Sequence, residues 1–101
     1  MSRTDYTVRL LSPAEADLAA VVTYIADNPD AALKFADAVE ARLLPLQKLP
    51  RIGKIPADAE LAQLGYRYLV VENYLIFYVI EDKTVMVHRI IHGARNYKGL
   101  L

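Results

Sequence analysis

Two very short connections constrain this chain more than any other feature of its sequence. Three runs rich in β-branched and aromatic residues, Arg67 to Val71, Tyr74 to Ile80 and Thr84 to His92, are separated only by Glu72-Asn73 and by Glu81-Asp82-Lys83. A parallel crossover needs about a dozen residues or more, so connections this short leave only antiparallel hairpins. The second half of the chain is therefore predicted to be a three-strand antiparallel meander. Upstream, Tyr6 to Leu11 alternates loosely and is rich in β-formers, which predicts a short first strand. Ser12-Pro13-Ala14-Glu15 then reads as a helix start: Ser12 as N-cap, Pro13 where its missing N–H costs nothing, and Glu15 placed to close a capping box. Leu18, Val21, Val22 and Ile25 recur at three- and four-residue spacing, which predicts one buried stripe and a helix to about Asp27, with Glu15 and Asp17 toward water. Asn28-Pro29 repeats the start signal. The second helix carries Leu33, Ala36, Val39, Leu43 and Leu46 on one side, with Pro45 weakening its last turn. Two helices joined this tightly form an antiparallel hairpin. Pro50 and Pro56 bracket a loop at Arg51–Ile55, and a tail runs from Gly93 to Leu101. The expected class is α+β, with residues 1–101 as a single domain: N-terminal strand, helical hairpin, then meander.

Composition narrows what such a domain does. Its 101 residues are 54% hydrophobic and include no cysteine, which excludes a disulfide framework and a thiolate metal site. No apolar run reaches the roughly 20 residues of a membrane span. Met1–Asp5 are polar with no signal-peptide core behind them, so the expectation is a soluble, cytoplasmic protein without cofactor or metal. A core this small also leaves room for a partner protein to add stability. Charge balances at 12 basic against 12 acidic side chains, but unevenly along the chain. Residues 1–47 carry a net −3, and the stretch from Lys83 to the end holds Arg89, Arg95, Lys98, His88 and His92 with no acid at all. A chain of zero net charge attracts polyanions poorly at long range, although a local basic stripe can engage an anionic partner at contact. The same stripe also suits a solvated edge that protects the last strand from aggregation.

Motif searches for phosphate loops, zinc-binding helices, nucleophile elbows and acidic calcium loops come up empty. His88 and His92 are four apart, which on a strand spans about 13 Å, too far for one ion to bridge. Strict alternation would put Val85, Val87, Arg89 and Ile91 on one face of the last strand and Met86, His88, Ile90 and His92 on the other. With the helices on one side, the opposite face is expected to be concave and wet. It could collect Arg67, Arg89 or His88, and Arg95, with Tyr68, Tyr74 and Tyr78, a mixture suited to phosphate contact and base stacking. The tyrosines alone fit core packing equally well.

Taken together, this order of elements with Gly65-Tyr-Arg67, Asn73-Tyr-Leu-Ile-Phe-Tyr78, Val85-Met-Val-His-Arg-Ile-Ile91 and His92-Gly-Ala-Arg95 resembles the RelE/ParE superfamily of type II toxin–antitoxin modules. The resemblance runs from Leu11-Ser-Pro-Ala-Glu15 to Leu100-Leu101. It implies a growth-inhibiting toxin of a plasmid-stabilisation module, held inactive in a hetero-oligomer by an antitoxin encoded beside it. RelE-like members cut messenger RNA in the ribosome, and on that branch the catalytic candidates are Arg67, His88, His92, Arg95 and Tyr97. Leu75, however, stands where RelE has an arginine, and the expected tyrosine beyond Arg95 is missing. ParE-like members poison DNA gyrase through protein contacts without a catalytic set, and the His92–Arg95 ending looks more like theirs. On that branch the target-binding candidates are Arg89, Arg95, Tyr97 and Lys98.

Overall fold

A computed structural model describes residues 5–101; the polar start, Met1–Thr4, lies outside the described residues. The element order is β1 (Thr7–Leu10), α1 (Ser12–Tyr24), α2 (Pro29–Leu43), a 3₁₀ turn (Leu44–Gln47), α3 (Ala59–Gln63), β2 (Arg67–Val71), β3 (Tyr74–Glu81), β4 (Thr84–His92) and a second 3₁₀ turn (Lys98–Leu100). The expected α+β class and its three-strand meander are present. Both hairpin connections use a non-glycine residue in the left-handed region, Glu72 at φ 52° and Asp82 at φ 54°, as tight turns require. The four strands lie in the order β1-β4-β3-β2, and β1 runs parallel to β4, from Thr7 opposite Thr84 to Leu10 opposite Val87. The helices and the strands β2 and β3 all lie between these two parallel neighbours in sequence.

Ser12 is not the cap of α1. The Leu11 N–H is still held by the Val87 carbonyl at 2.9 Å while the Leu11 carbonyl already accepts from Glu15 N at 3.0 Å. Strand and helix therefore meet on one residue, Ser12 falls inside the first turn, and no side-chain cap forms. The helix also stops at Tyr24 rather than Asp27, because the residue before a proline avoids the helical region and Asn28 (φ −124°) has to turn the chain. There the expected cap is found: Asn28 Oδ1 accepts from Ala31 N at 3.3 Å, with Pro29 in the first turn of α2. Helix α3 was not foreseen. It is only five residues long and is started by Asp58, whose carboxylate accepts from Leu61 N at 3.0 Å.

The sheet is covered on both sides. On one, Phe35, Val39 and Leu43 of α2, with Leu46 after it, pack on Leu69, Val71, Ile76, Tyr78, Val85, Val87 and Ile90. On the other, the wet concave face expected from sequence is instead a second, smaller core of Leu61, Tyr66, Phe77 and Ile91, flanked by Tyr97, Leu100 and Leu101 of the tail. Helix α3 and the tail fold over that face and join each other through Lys98 Nζ and Asp58 Oδ2, 3.2 Å apart. Strict alternation along β4 also fails. Phe77 pairs with Arg89 but Tyr78 pairs with Val87, so His88 is the extra residue of a β-bulge. The slip turns Ile90 toward the helices and Ile91 toward the second core, which lets both be buried (3% and 1% exposed).

Candidate target-binding groove

The residues singled out in the sequence separate into those that hold the fold together and those that face outward. Arg67 donates from Nη1 to the carbonyls of Arg51 and Gly53, each at 3.0 Å, and so ties the loop before α3 to β2. Arg89 is bidentate to Asp17 of α1, with Nε–Oδ2 at 2.7 Å and Nη2–Oδ1 at 2.9 Å, and Nη1 donates to the Leu100 carbonyl at 2.9 Å. Asp17 in addition accepts the Ile90 N–H at 2.9 Å. That N–H lies past the end of β1, where this edge of β4 has no strand partner although β3 still pairs on the other, and a helix carboxylate takes the strand's place. The Asp17 hydrogen bond raises the Arg89 pKa further above its already high value. Lys98 is held by Asp58, whose hydrogen bond raises the lysine pKa. Tyr97 lies on Phe77 with ring centroids 4.9 Å apart.

His88 sits at the bulge with Nδ1 3.1 Å from the Tyr66 hydroxyl, the two rings edge to face at 5.2 Å. Burial lowers the pKa of His88 below its usual value, opposed by the charge of Glu81, and burial raises that of Tyr66. Both shifts favour the neutral form of each group.

His92 and Arg95 are different. They line an open groove of about 580 Å³ together with Tyr24 of α1 and Asn73 and Tyr74 at the β2–β3 turn. The segment that carries them is shaped by its own backbone: Gly93 N donates to Asn73 O at 2.8 Å, and Arg95 N to His92 O at 3.0 Å. Ala94 N donates to His92 Nδ1 at 3.1 Å, so the neutral ring carries its proton on Nε2. The His92 ring is buttressed by Tyr74, edge to face at 5.2 Å, and Tyr74 in turn by Phe35. The Arg95 side chain has no ion pair or hydrogen bond among the described residues, and Tyr24 is 83% exposed. A cation, an imidazole donor and a free aromatic face thus converge on one mouth.

The sequence matches the model of the ParE toxin of the type II toxin–antitoxin system parDE over residues 8–97. The chain belongs to the ParE toxin family. It is a toxin of a type II toxin–antitoxin module within the RelE/ParE superfamily. A solved chain of a chromosomal ParDE system from P. aeruginosa shares the fold, with a TM-score of 0.72 and 21% identity over 88% of this chain and 97% of that one. A chain of the toxin–antitoxin complex RelBE2 from Mycobacterium tuberculosis is 32% identical, with a TM-score of 0.61 over 87% of this chain and 98% of that one. No curated protein sequence gives a significant match.

In this ParE-family toxin the sequence reading missed Tyr24 and Asn73 as groove residues, whereas Tyr74, expected beside Arg95 on the open face of the sheet, does line the groove with it. Of the two missed residues only Tyr24 has a detectable signal, an aromatic residue at the end of α1 outside its buried stripe. Asn73 and Tyr74 line the groove only because the β2–β3 turn folds back beside the end of β4. Among the described residues no group of three metal-ligating side chains comes together, and no helix is long and apolar enough to cross a membrane.

Proposed function

We propose that this toxin acts by protein contact at the groove of Tyr24, His92 and Arg95, with DNA gyrase as the target, and that an antitoxin encoded beside it keeps it inactive. The observation that carries the reading is the dispersal of the RNA-cutting candidates. In-line attack by a ribose hydroxyl needs a base, an acid and charge stabilisation around one phosphate. Here the Arg67 guanidinium is anchored through Nη1 to loop carbonyls, His88 faces Tyr66 at the bulge, and only His92 and Arg95 share a mouth. Leu75, packed against the second core, supplies no charge where an RNA-cutting relative has arginine. The match to the ParE model supports the same branch, and the two solved chains described above come from toxin–antitoxin systems, which supports an antitoxin partner.

Induction of this chain alone is expected to stop growth with DNA damage and filamentation, and co-expression of the adjacent reading frame to restore growth. The purified protein should inhibit gyrase supercoiling and leave messenger RNA on programmed ribosomes intact. Normal growth with abundant folded protein would refute the toxin reading. The alternative, a ribosome-dependent endonuclease, is favoured by the 32% identity to the RelBE2 chain. It predicts A-site cleavage that is lost on mutation of Arg67, His88 or His92.

A further inference from the structure

The loop between the first 3₁₀ turn and α3 combines an unusually constrained backbone with unusually exposed side chains. Tyr78, fully buried in the sheet, donates its hydroxyl to Pro50 O at 2.7 Å and accepts from Gly53 N at 2.9 Å. Arg67 grips the carbonyls of Arg51 and Gly53 from β2. Lys54 and Tyr68 exchange both backbone hydrogen bonds, at 2.8 and 2.9 Å. A Cβ on Gly53 would run into the buried Tyr78 hydroxyl and ring, so only glycine permits this approach. The loop is therefore a built element.

What it presents is apolar and basic. Leu49 is 60% exposed, Ile52 45% and Ile55 59%, and Val70 of β2 is 42% exposed. Ile52 and Val70 each lie two residues beyond the Lys54–Tyr68 pairing on the same side. Between Gln47 and Ala57 the chain carries Lys48, Arg51 and Lys54 and no acid. Lys48 has Asp5 at 3.6 Å, whereas the Arg51 and Lys54 side chains have no ion pair among the described residues. Three exposed aliphatic side chains fixed beside two free cations are costly in water unless something covers them, and a pinned loop loses little entropy when that happens.

We infer that the Leu49–Ile55 loop is a docking surface for an acidic, aliphatic segment of the antitoxin, its carboxylates meeting Arg51 and Lys54 and its apolar side chains covering Ile52 and Val70. Nucleic acid fits less well. Base stacking needs aromatic faces, the exposed residues here are aliphatic, and of the aromatics beside the loop Tyr78 is buried and Tyr68 is packed against Phe77. The inference rests on the antitoxin reading above and adds the surface and the chemistry of the segment.

The test uses the full chain, short overlapping peptides tiled across the protein encoded by the adjacent reading frame, and a mixed-sequence single-stranded RNA, with binding read by fluorescence anisotropy. The tightest peptide should be net negative with aliphatic residues between its carboxylates. Arg51→Glu with Lys54→Glu should weaken it by about tenfold or more, and so should Ile52→Ser. Thermal midpoints should be unchanged, since all three side chains are exposed. If the wild-type chain binds the intact neighbour protein but these variants bind the peptides equally well, the loop assignment is wrong while the antitoxin reading stands. If the wild-type chain does not bind the neighbour at all, both fail. Tighter binding of the RNA than of any peptide, abolished by the double charge reversal, would make this a nucleic-acid surface and overturn the inference.

Discussion

Asp17 illustrates how the role of a residue depends on where a neighbouring strand stops. From sequence it is a solvent-facing acid on α1; in the structure it accepts from the Arg89 guanidinium and from the Ile90 N–H at the unpaired edge of β4. Its side chain and that of Arg89 are 17% and 23% exposed, so the pair is partly screened, but removal of Asp17 also leaves a strand N–H without its acceptor. Asp17→Ala is expected to lower stability by about 2–3 kcal/mol in urea unfolding. Arg95 gives the opposite result. Its guanidinium has no ion pair among the described residues, so Arg95→Ala should change stability by no more than about 0.5 kcal/mol and abolish growth inhibition. Retained toxicity, or an unfolded variant, would remove Arg95 from the target-binding surface.

At the scale of elements, capping and loop pinning make separable contributions. Asn28→Ala removes the one side-chain cap of α2 and should cost about 1 kcal/mol. Gly53→Ala forces either the loop or the Tyr78 ring to move, and overpacking of this kind costs about 1–3 kcal/mol. Both are checked by the urea midpoint at constant slope. Gly53→Ala should in addition loosen amide-exchange protection at Lys54, whose N–H is held by Tyr68, while protection in β4 stays unchanged.

For the whole molecule, His88 predicts a pH dependence of stability. Burial lowers its pKa in the folded state, so below the ordinary histidine value near 6.5 the unfolded chain binds more protons than the folded one. Stability is therefore complete above about pH 6.5 and falls as the pH drops through that value toward the lowered folded pKa. Asp58 contributes a separate limb at lower pH. Its pKa is lowered first by the Leu61 N–H and then by Lys98, so its stabilisation is present above the ordinary carboxylate pKa and lost as the pH falls below it. His88→Gln should flatten the unfolding midpoint between pH 7 and 5.5 and leave the more acidic limb in place; an unchanged slope would show that His88 is not the titrating group.

The meander, the second helix start and the α+β class were legible in the sequence because each is set by local rules: two-residue turns, period-two runs and an Asn-Pro cap act over a few residues. The family resemblance was legible too, since it rests on several short stretches in a fixed order. Three features were decided only by tertiary structure. The bulge at His88 is invisible in β4 alone, because it arises from the match between β4 and β3 and exchanges the faces of Ile90 and Ile91. The second core on the outer face depends on a five-residue helix and a tail too short to show periodicity, brought together by Lys98 and Asp58. The division of the arginines depends on which acid or carbonyl each can reach. Arg89 is held by Asp17, 72 positions away, and Arg67 by loop carbonyls, while Arg95 extends into an open groove. Local rules determine which elements form; a charged side chain's role is determined by partners distant in sequence, and only the folded chain brings them within reach.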